Sequence, residues 1–154
     1  MGAPTVTPER TAWRDVQFSL RHRDWGWDCP AVDIDFLMVE YDQAEPRAII
    51  EYKHESAQEP TSEHPSYRSV CKLADRGRIP FFVVRYADDL SWWWVIGLNG
   101  RARHLLGETP NLILFAEAEY VRFLYETVRD RTFPTDLMEK LMANPFIRDG
   151  QAHP

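Results

Sequence analysis

The sequence predicts an α/β domain, with a mixed central sheet of four to five strands flanked by helices. Two observations support this class. Apolar, β-forming runs occur in two pairs, each joined by a polar connection, and helical patterns precede, separate and follow those pairs. The chain has 154 residues, of which 44% are hydrophobic, and this is enough to build one packed core. We therefore expect a single domain over 1–154, with a core at about 8–131 and a short helix and tail at 132–154.

The boundaries of the elements follow from residue spacing, capping residues and prolines. One helix, for example, starts at Pro65 and ends at Gly77. Asn99 and Gly100 form a turn signal after the last long apolar run. In chain order we predict helix 8–23, strands 32–41 and 47–53, helix 65–77, strands 79–87 and 91–99, a short edge strand 101–106, and helices 117–131 and 136–142.

Composition argues against several classes of protein. No run approaches the roughly 20 apolar residues that cross a bilayer, and the N-terminal residues lack the apolar run of a signal peptide, so we expect a cytoplasmic protein. Cys29 and Cys71 have neither zinc-binding spacing nor a disulfide framework, which predicts reduced thiols. The net charge of −6 argues against a protein that coats nucleic acid by bulk attraction.

Charge is unevenly distributed along the chain. Residues 28–63 contain ten acidic and two basic residues, whereas residues 66–86 contain five basic residues and one acidic residue. This order is typical of a metal site beside a phosphate-binding surface, and it is equally compatible with two ordinary solvated surfaces.

Charged residues interrupt the first pair of strands, where apolar side chains are expected. If residues 42–46 form the hairpin loop, Tyr41 pairs with Arg47, and Asp35 then lies opposite Lys53 with Glu51 one diagonal away. These three charged side chains would share one face of the sheet. A four-residue loop would send one strand's side chains to the other face, because side chains alternate along a strand.

Two neighbouring carboxylates repel each other unless a cation lies between them. Mg²⁺ or Mn²⁺ meets that need, because such an ion takes oxygen ligands and commonly binds one or two carboxylates together with substrate phosphate. A lysine beside the ion can orient the attacking water or stabilise the developing negative charge. The pattern therefore indicates hydrolysis of a phosphodiester, with Asp35, Glu51 and Lys53 as candidate catalytic residues and Asp33 as a further candidate metal ligand.

The segments DIDFLMV and AIIEYK, between a first helix and a basic second helix, resemble the core of the PD-(D/E)XK nuclease superfamily, also called restriction-endonuclease-like. The resemblance covers about residues 8–96. It implies a metal-dependent nuclease fold in which Asp35 and Glu51 are the two acids and Lys53 is the lysine.

The sequence departs from the family pattern at the first acid. No Pro-Asp dipeptide occurs, so both Asp33 and Asp35 remain candidates, and the predicted register favours Asp35. In several members of the superfamily an acid on the first helix adds to the metal site. Glu9 is the candidate here, and a partner for the helix dipole is the alternative role.

The expected partner of such an enzyme is DNA. Arg68, Lys72 and Arg76 lie four residues apart on one helical stripe suited to a phosphate backbone, and a solvated helix face is the equal alternative. Residues 92–94 are three tryptophans that cannot all face one way, so some belong to the core and others are available to stack on bases. His54 should point away from Lys53.

Two alternatives to a nuclease remain open. The same fold could serve as a binding module for nucleic acid or protein without catalysis, and the charges could be the solvated face of a hairpin in an unrelated α/β protein. A homodimer is also compatible with the sequence, because small nucleases often use two copies to reach two strands.

Overall fold

The computed structural model describes Arg21, Asp24, Trp25 and residues 31–61, 63–107 and 112–143. Within these residues five strands form one mixed sheet in the order β1-β2-β3-β4-β5, flanked by four α-helices, which confirms the predicted class. In the same residues no helix has the length and apolar character needed to cross a membrane. The strands are β1 (Phe36–Glu40), β2 (Glu45–His54), β3 (Phe81–Tyr86), β4 (Trp93–Gly97) and β5 (Leu112–Phe115), and the helices are α1 (Pro65–Gly77), α2 (Gly100–Leu106), α3 (Glu117–Phe123) and α4 (Thr135–Met142).

Several predicted boundaries are correct and others are not. Helix α1 has the predicted limits, but β1 begins four residues later than predicted, so that 31–35 precede the strand. The helix predicted over 117–131 changes to a π-helical turn at Leu124–Val128. Strand β5 was not predicted. Of the helix predicted over 8–23, the structure describes Arg21, which is helical, as is Asp24; the rest of that predicted helix, including Glu9, and residues 144–154 lie outside the described residues.

The strand predicted over 101–106 is wrong, because these residues form helix α2. Asn99, interpreted above as part of a turn, caps this helix by accepting a hydrogen bond from the backbone N–H of Ala102. Ala102 and Leu106 are buried one helical turn apart. Gly97 permits the close approach of α2 to the sheet, since a Cβ atom there would lie 2.9 Å from the backbone nitrogen of Arg103.

The two faces of the sheet have different roles. The aromatic face carries Ile50, Tyr52, Phe82, Val84 and Trp93, and the larger apolar core lies against it. The opposite face, called the site face here, carries Ile49, Glu51, Lys53, Phe81 and Val83, which alternate with the residues of the aromatic face along β2 and β3.

Helix α1 covers part of the site face. Its buried residues, Val70 and Ala74, pack on Ile49, Phe81 and Val83. Strands β2 and β3 are parallel and α1 connects them, so α1 begins at the end of the sheet where β2 ends. The first turn of α1 therefore lies beside the last residues of β2.

Candidate active site

The first hairpin has a different register from the predicted one. Glu40 pairs with Glu45, so the turn has four residues, and Ala44 takes a left-handed conformation with φ 52°. The predicted pairing of Tyr41 with Arg47 is therefore wrong. A four-residue turn alone would place Asp35 opposite Ile50, on the aromatic face.

A β-bulge in β2 changes the side of the sheet to which Asp35 is directed. Met38 pairs with Ala48, whereas Val39 pairs with Pro46, so Arg47 is an extra residue in β2. From Met38 towards the start of β1, every pairing is shifted by this one residue, and Phe36 pairs with Ile50. The register continued by one residue puts Asp35 beside Glu51, at a Cα separation of about 5 Å in a regular ladder. The bulge thus returns Asp35 to the site face.

Glu51 and Lys53 form an ion pair on the site face. The Lys53 Nζ atom lies 2.5 Å from Glu51 Oε1, and the two side chains are 33% and 22% exposed respectively. The hydrogen bond with Glu51 raises the pKa of Lys53 above its ordinary value; burial opposes this change, and the charges of Glu51, Tyr67 and Asp35 add to it. The lysine therefore remains an ammonium group at neutral pH.

Tyr67, in the first turn of α1, is the member of this group that sequence reasoning did not identify. Burial raises the pKa of its hydroxyl, as do the negative charges of Glu51 and Asp35 and a hydrogen bond with Glu51, whereas the charge of Lys53 lowers it. Its ring packs against Phe81, with centroids 6.3 Å apart. The signal that could have identified it is the connection of β2 to a parallel strand through α1, which brings the first turn of α1 to the end of β2.

Arg85 fixes the chain that follows the lysine. It pairs with Lys53 across β2 and β3, and its Nη2 atom donates hydrogen bonds to the carbonyl oxygens of Glu55 at 2.7 Å and Ala57 at 3.0 Å. An ion pair of 3.7 Å joins its Nη1 atom to Glu59. The wall of the site beyond Lys53 is therefore held by a side chain of the neighbouring strand.

His54 points away from Lys53, as predicted. It belongs to the aromatic face, where its ring lies 5.7 Å from that of Tyr86 in an edge contact. Its Nδ1 atom is 2.7 Å from the hydroxyl of Ser56, and its Nε2 atom is 3.2 Å from a carboxylate oxygen of Asp88. These contacts fix the end of β2 and do not bring His54 to the carboxylates of the site face.

The remaining predicted residues lie around this group. Asp33 and Asp35 are both exposed and precede β1, and the charge of Asp35 acts on both Lys53 and Tyr67. The predicted nucleic-acid-binding residues are exposed on α1, on the side away from the buried Val70 and Ala74; they are Arg68, Lys72 and Arg76.

The residue types of the site are those that a hard divalent cation with few protein ligands would use. Within the described ranges no cluster of three or more His, Cys, Asp or Glu side chains is arranged to hold a metal. Two carboxylates suffice for Mg²⁺, which keeps several waters. A carboxylate has about four acceptor positions, so the hydrogen bonds that Glu51 accepts from Lys53 and Tyr67 leave room for an ion.

Comparisons with known proteins add no family to this description. No protein-family model matches the sequence, no curated protein is significantly similar to it, and no solved structure matches the fold. Function must therefore be argued from the residues of the site face.

Proposed function

We propose that the protein is a metal-dependent nuclease that hydrolyses phosphodiester bonds, with DNA as its substrate. The observation that supports this proposal is the bulge at Arg47, because the register of β1, continued by one residue beyond Phe36, brings Asp35 to the side of the sheet that carries Glu51 and Lys53. Two carboxylates and an ammonium group at one end of a sheet match the requirements of phosphodiester hydrolysis.

Each residue has a separate task in this reaction. Water attacks phosphorus and loses a proton to solvent as the new P–O bond forms, and the bond from phosphorus to the leaving sugar oxygen breaks as that oxygen takes up a proton from solvent. Lys53 holds the attacking water or the negative charge that develops on the phosphate oxygens, and Glu51 keeps the ammonium group in position through the 2.5 Å contact. Tyr67 restrains the carboxylate of Glu51 from the side of α1.

Asp35 and Glu51 are the residues that would hold the metal ion. A bound Mg²⁺ or Mn²⁺ would polarise the phosphate and lower the pKa of a coordinated water. Asp33, which is exposed two residues before Asp35, is the further candidate ligand. The basic side chains Arg68, Lys72 and Arg76 extend along α1 from the site and would contact the DNA backbone.

The test is a cleavage assay on linear, circular, branched and single-stranded DNA with Mg²⁺ or Mn²⁺. Asp35→Asn and Lys53→Met should each lower the initial rate by about 100-fold or more, because each removes a charge at the reacting phosphate. Asp42→Asn is the matched control, since Asp42 is exposed in the turn of the same hairpin. Cleavage that survives a chelator, or that is unchanged in both variants, would refute the mechanism.

A non-catalytic binding module is the second candidate. It is favoured by the ion pair itself, because Lys53 already neutralises the charge of Glu51 without a metal ion. Calorimetric titration with Mg²⁺ separates the two functions. A nuclease should bind the ion with an affinity that falls in Asp35→Asn, whereas a binding module should show no carboxylate-dependent site.

A further inference from the structure

The row of residues next to the candidate active site continues across the whole sheet. Lys53 pairs with Arg85, Arg85 pairs with Trp94, and Trp94 pairs with Leu114. Directly paired residues of neighbouring strands point to the same side. Trp94 therefore lies on the site face, two strands from Lys53, at a distance of about 10 Å across the sheet.

The three consecutive tryptophans divide between the two faces. Trp93 belongs to the aromatic face, where its ring stacks on that of Tyr120 with centroids 5.0 Å apart and an interplanar angle of 8°. Trp92 and Trp94 are on the other side and meet edge to face, with centroids 6.4 Å apart and an angle of 88°. Packing in the core thus accounts for Trp93 and leaves two rings on the site face.

Helix α1 does not account for these two rings. Among the described residues, the buried cluster beneath α1 includes Val83 of β3 and Leu98, with Ile96 of β4 packed against it, and this cluster stops one row before Trp94. Trp92 and Trp94 are half-buried, and Leu114, beside Trp94 on β5, is 62% exposed. The end of the site face beyond α1 is therefore an aromatic and apolar surface in contact with solvent.

Charge indicates what this surface accommodates. Lys53 lies in the same row as Trp94, so a nucleotide whose phosphate contacts Lys53 would have its base within reach of the tryptophans. Arg85 lies between Lys53 and Trp94 in this row. Its side chain is only 12% exposed and donates hydrogen bonds to loop carbonyl oxygens, so it forms the surface between the phosphate site and the tryptophans. A phosphate site followed by aromatic rings is the arrangement that binds single-stranded nucleic acid.

We propose that Trp92 and Trp94 form a stacking surface for unpaired bases, so that the substrate is single-stranded DNA or the unpaired end of a duplex. This inference rests on the proposed function, because it places the phosphate of the same nucleotide chain at Lys53. In an intact duplex the base faces are stacked on one another, and only unpaired bases present a face to a protein ring.

The experiment measures binding without cleavage. Fluorescence anisotropy in a chelator compares a labelled single strand with a blunt duplex of the same length. The protein should bind the single strand more tightly, and Trp92→Ala and Trp94→Ala should weaken that binding by about 5- to 150-fold, the usual contribution of one stacked base. Trp94→Phe, which keeps an aromatic face, should restore most of the affinity lost in Trp94→Ala.

Tyr41→Ala is the matched control, because Tyr41 is 62% exposed in the turn at the opposite end of β2. Melting temperatures of all variants identify any loss that is due to unfolding, and Trp92→Ala, outside β4, carries the test if Trp94→Ala does not fold. Preference for the duplex would overturn the inference. Unchanged binding by folded Trp92→Ala would also overturn it, provided that Trp94→Ala either binds equally well or does not fold. Failure of the nuclease proposal would be recognised separately, as an absence of metal-dependent DNA cleavage, whether or not the protein binds single-stranded DNA.

Discussion

Two glutamates at opposite ends of the first hairpin are both paired with cations, and their surroundings differ in what they permit. Glu40, with a side chain only 7% exposed, accepts hydrogen bonds from Arg129 Nε at 2.8 Å and Nη2 at 3.3 Å, and from Arg131 Nη2 at 3.4 Å. Glu51 is 22% exposed and contacts a single lysine at 2.5 Å.

The comparison teaches that the number of hydrogen bonds a carboxylate accepts, more than its charge, decides whether it can take a further ligand. Arginines enclose Glu40 on the end of β1, and the guanidinium of Arg129 also lies 4.8 Å from the ring centroid of Tyr125. Such a group fixes the end of a strand and has little capacity for a further ligand. Glu51 is more exposed than Glu40 and accepts fewer hydrogen bonds, so it keeps acceptor positions for a further ligand, as the proposed function requires.

The largest expected effect distinguishes these two residues by function. Glu51→Gln should lower the cleavage rate by about 1000-fold, since it weakens metal binding and releases Lys53, while changing the free energy of unfolding by less than about 1 kcal/mol. Glu40→Gln should leave metal-dependent chemistry in the folded fraction and lower the free energy of unfolding by about 2 to 3 kcal/mol. Urea denaturation and initial rates measure the two quantities. Equal stability losses in both variants would contradict the comparison.

A smaller effect concerns pH. The hydrogen bond from Arg129 holds the pKa of Glu40 below its ordinary value of 4.5; the charges of Arg129 and Arg131 add to this, and burial opposes it. A carboxyl group whose pKa is lowered by folding contributes stability above its unfolded pKa and loses that contribution as the pH falls through the folded pKa.

The difference in free energy of unfolding between the unmodified protein and Glu40→Gln should therefore be constant from about pH 7 down to about 4.5 and shrink below that. Urea denaturation at a series of pH values measures it. A difference that persists undiminished well below pH 4.5 would mean that packing, and not charge, makes Glu40 stabilising.

The smallest expected effect sharpens the role of Tyr67. Tyr67→Phe removes the hydroxyl that restrains Glu51 and keeps the ring that packs against Phe81. We expect about a 3- to 10-fold lower cleavage rate, the usual contribution of one hydrogen bond, and little change in melting temperature. Tyr41→Phe, in the exposed turn, is the control. A loss above about 100-fold would instead indicate that the hydroxyl acts at the reacting phosphate.

Local signals in the sequence predicted much of the fold. Helix α1 begins at Pro65 and ends at Gly77 as predicted, because a proline in the first turn and a stop signal act within a few residues. The dipeptide Asn99-Gly100 was misinterpreted as a turn because the contacts of Asn99 are not local. Its amide nitrogen donates to the carboxylate of Asp75 and to the carbonyl of Ile79, contacts that are distant in sequence.

The sequence correctly predicted that Glu51 and Lys53 share one face of the sheet, but it did not predict how the two strands of the hairpin pair. The prediction placed five unpaired residues in the hairpin loop, and the structure has four in the turn and one in the bulge. Because the total is the same, the paired side chains alternate between the two faces as predicted. The bulge itself could not be predicted, because Arg47 lies in a run that is compatible with either register. Tyr67 was missed because its position depends on how α1 packs on the sheet.

The bulge also determines which changes of length the hairpin can tolerate. Removing Arg47, or any single residue between Glu40 and Glu45, would turn Asp35 towards the aromatic face and leave Glu51 without its neighbour, although no charged side chain had been altered. Removing both Arg47 and one residue of the turn would return Asp35 to the site face. Related chains that retain this chemistry should therefore differ in hairpin length by even numbers of residues.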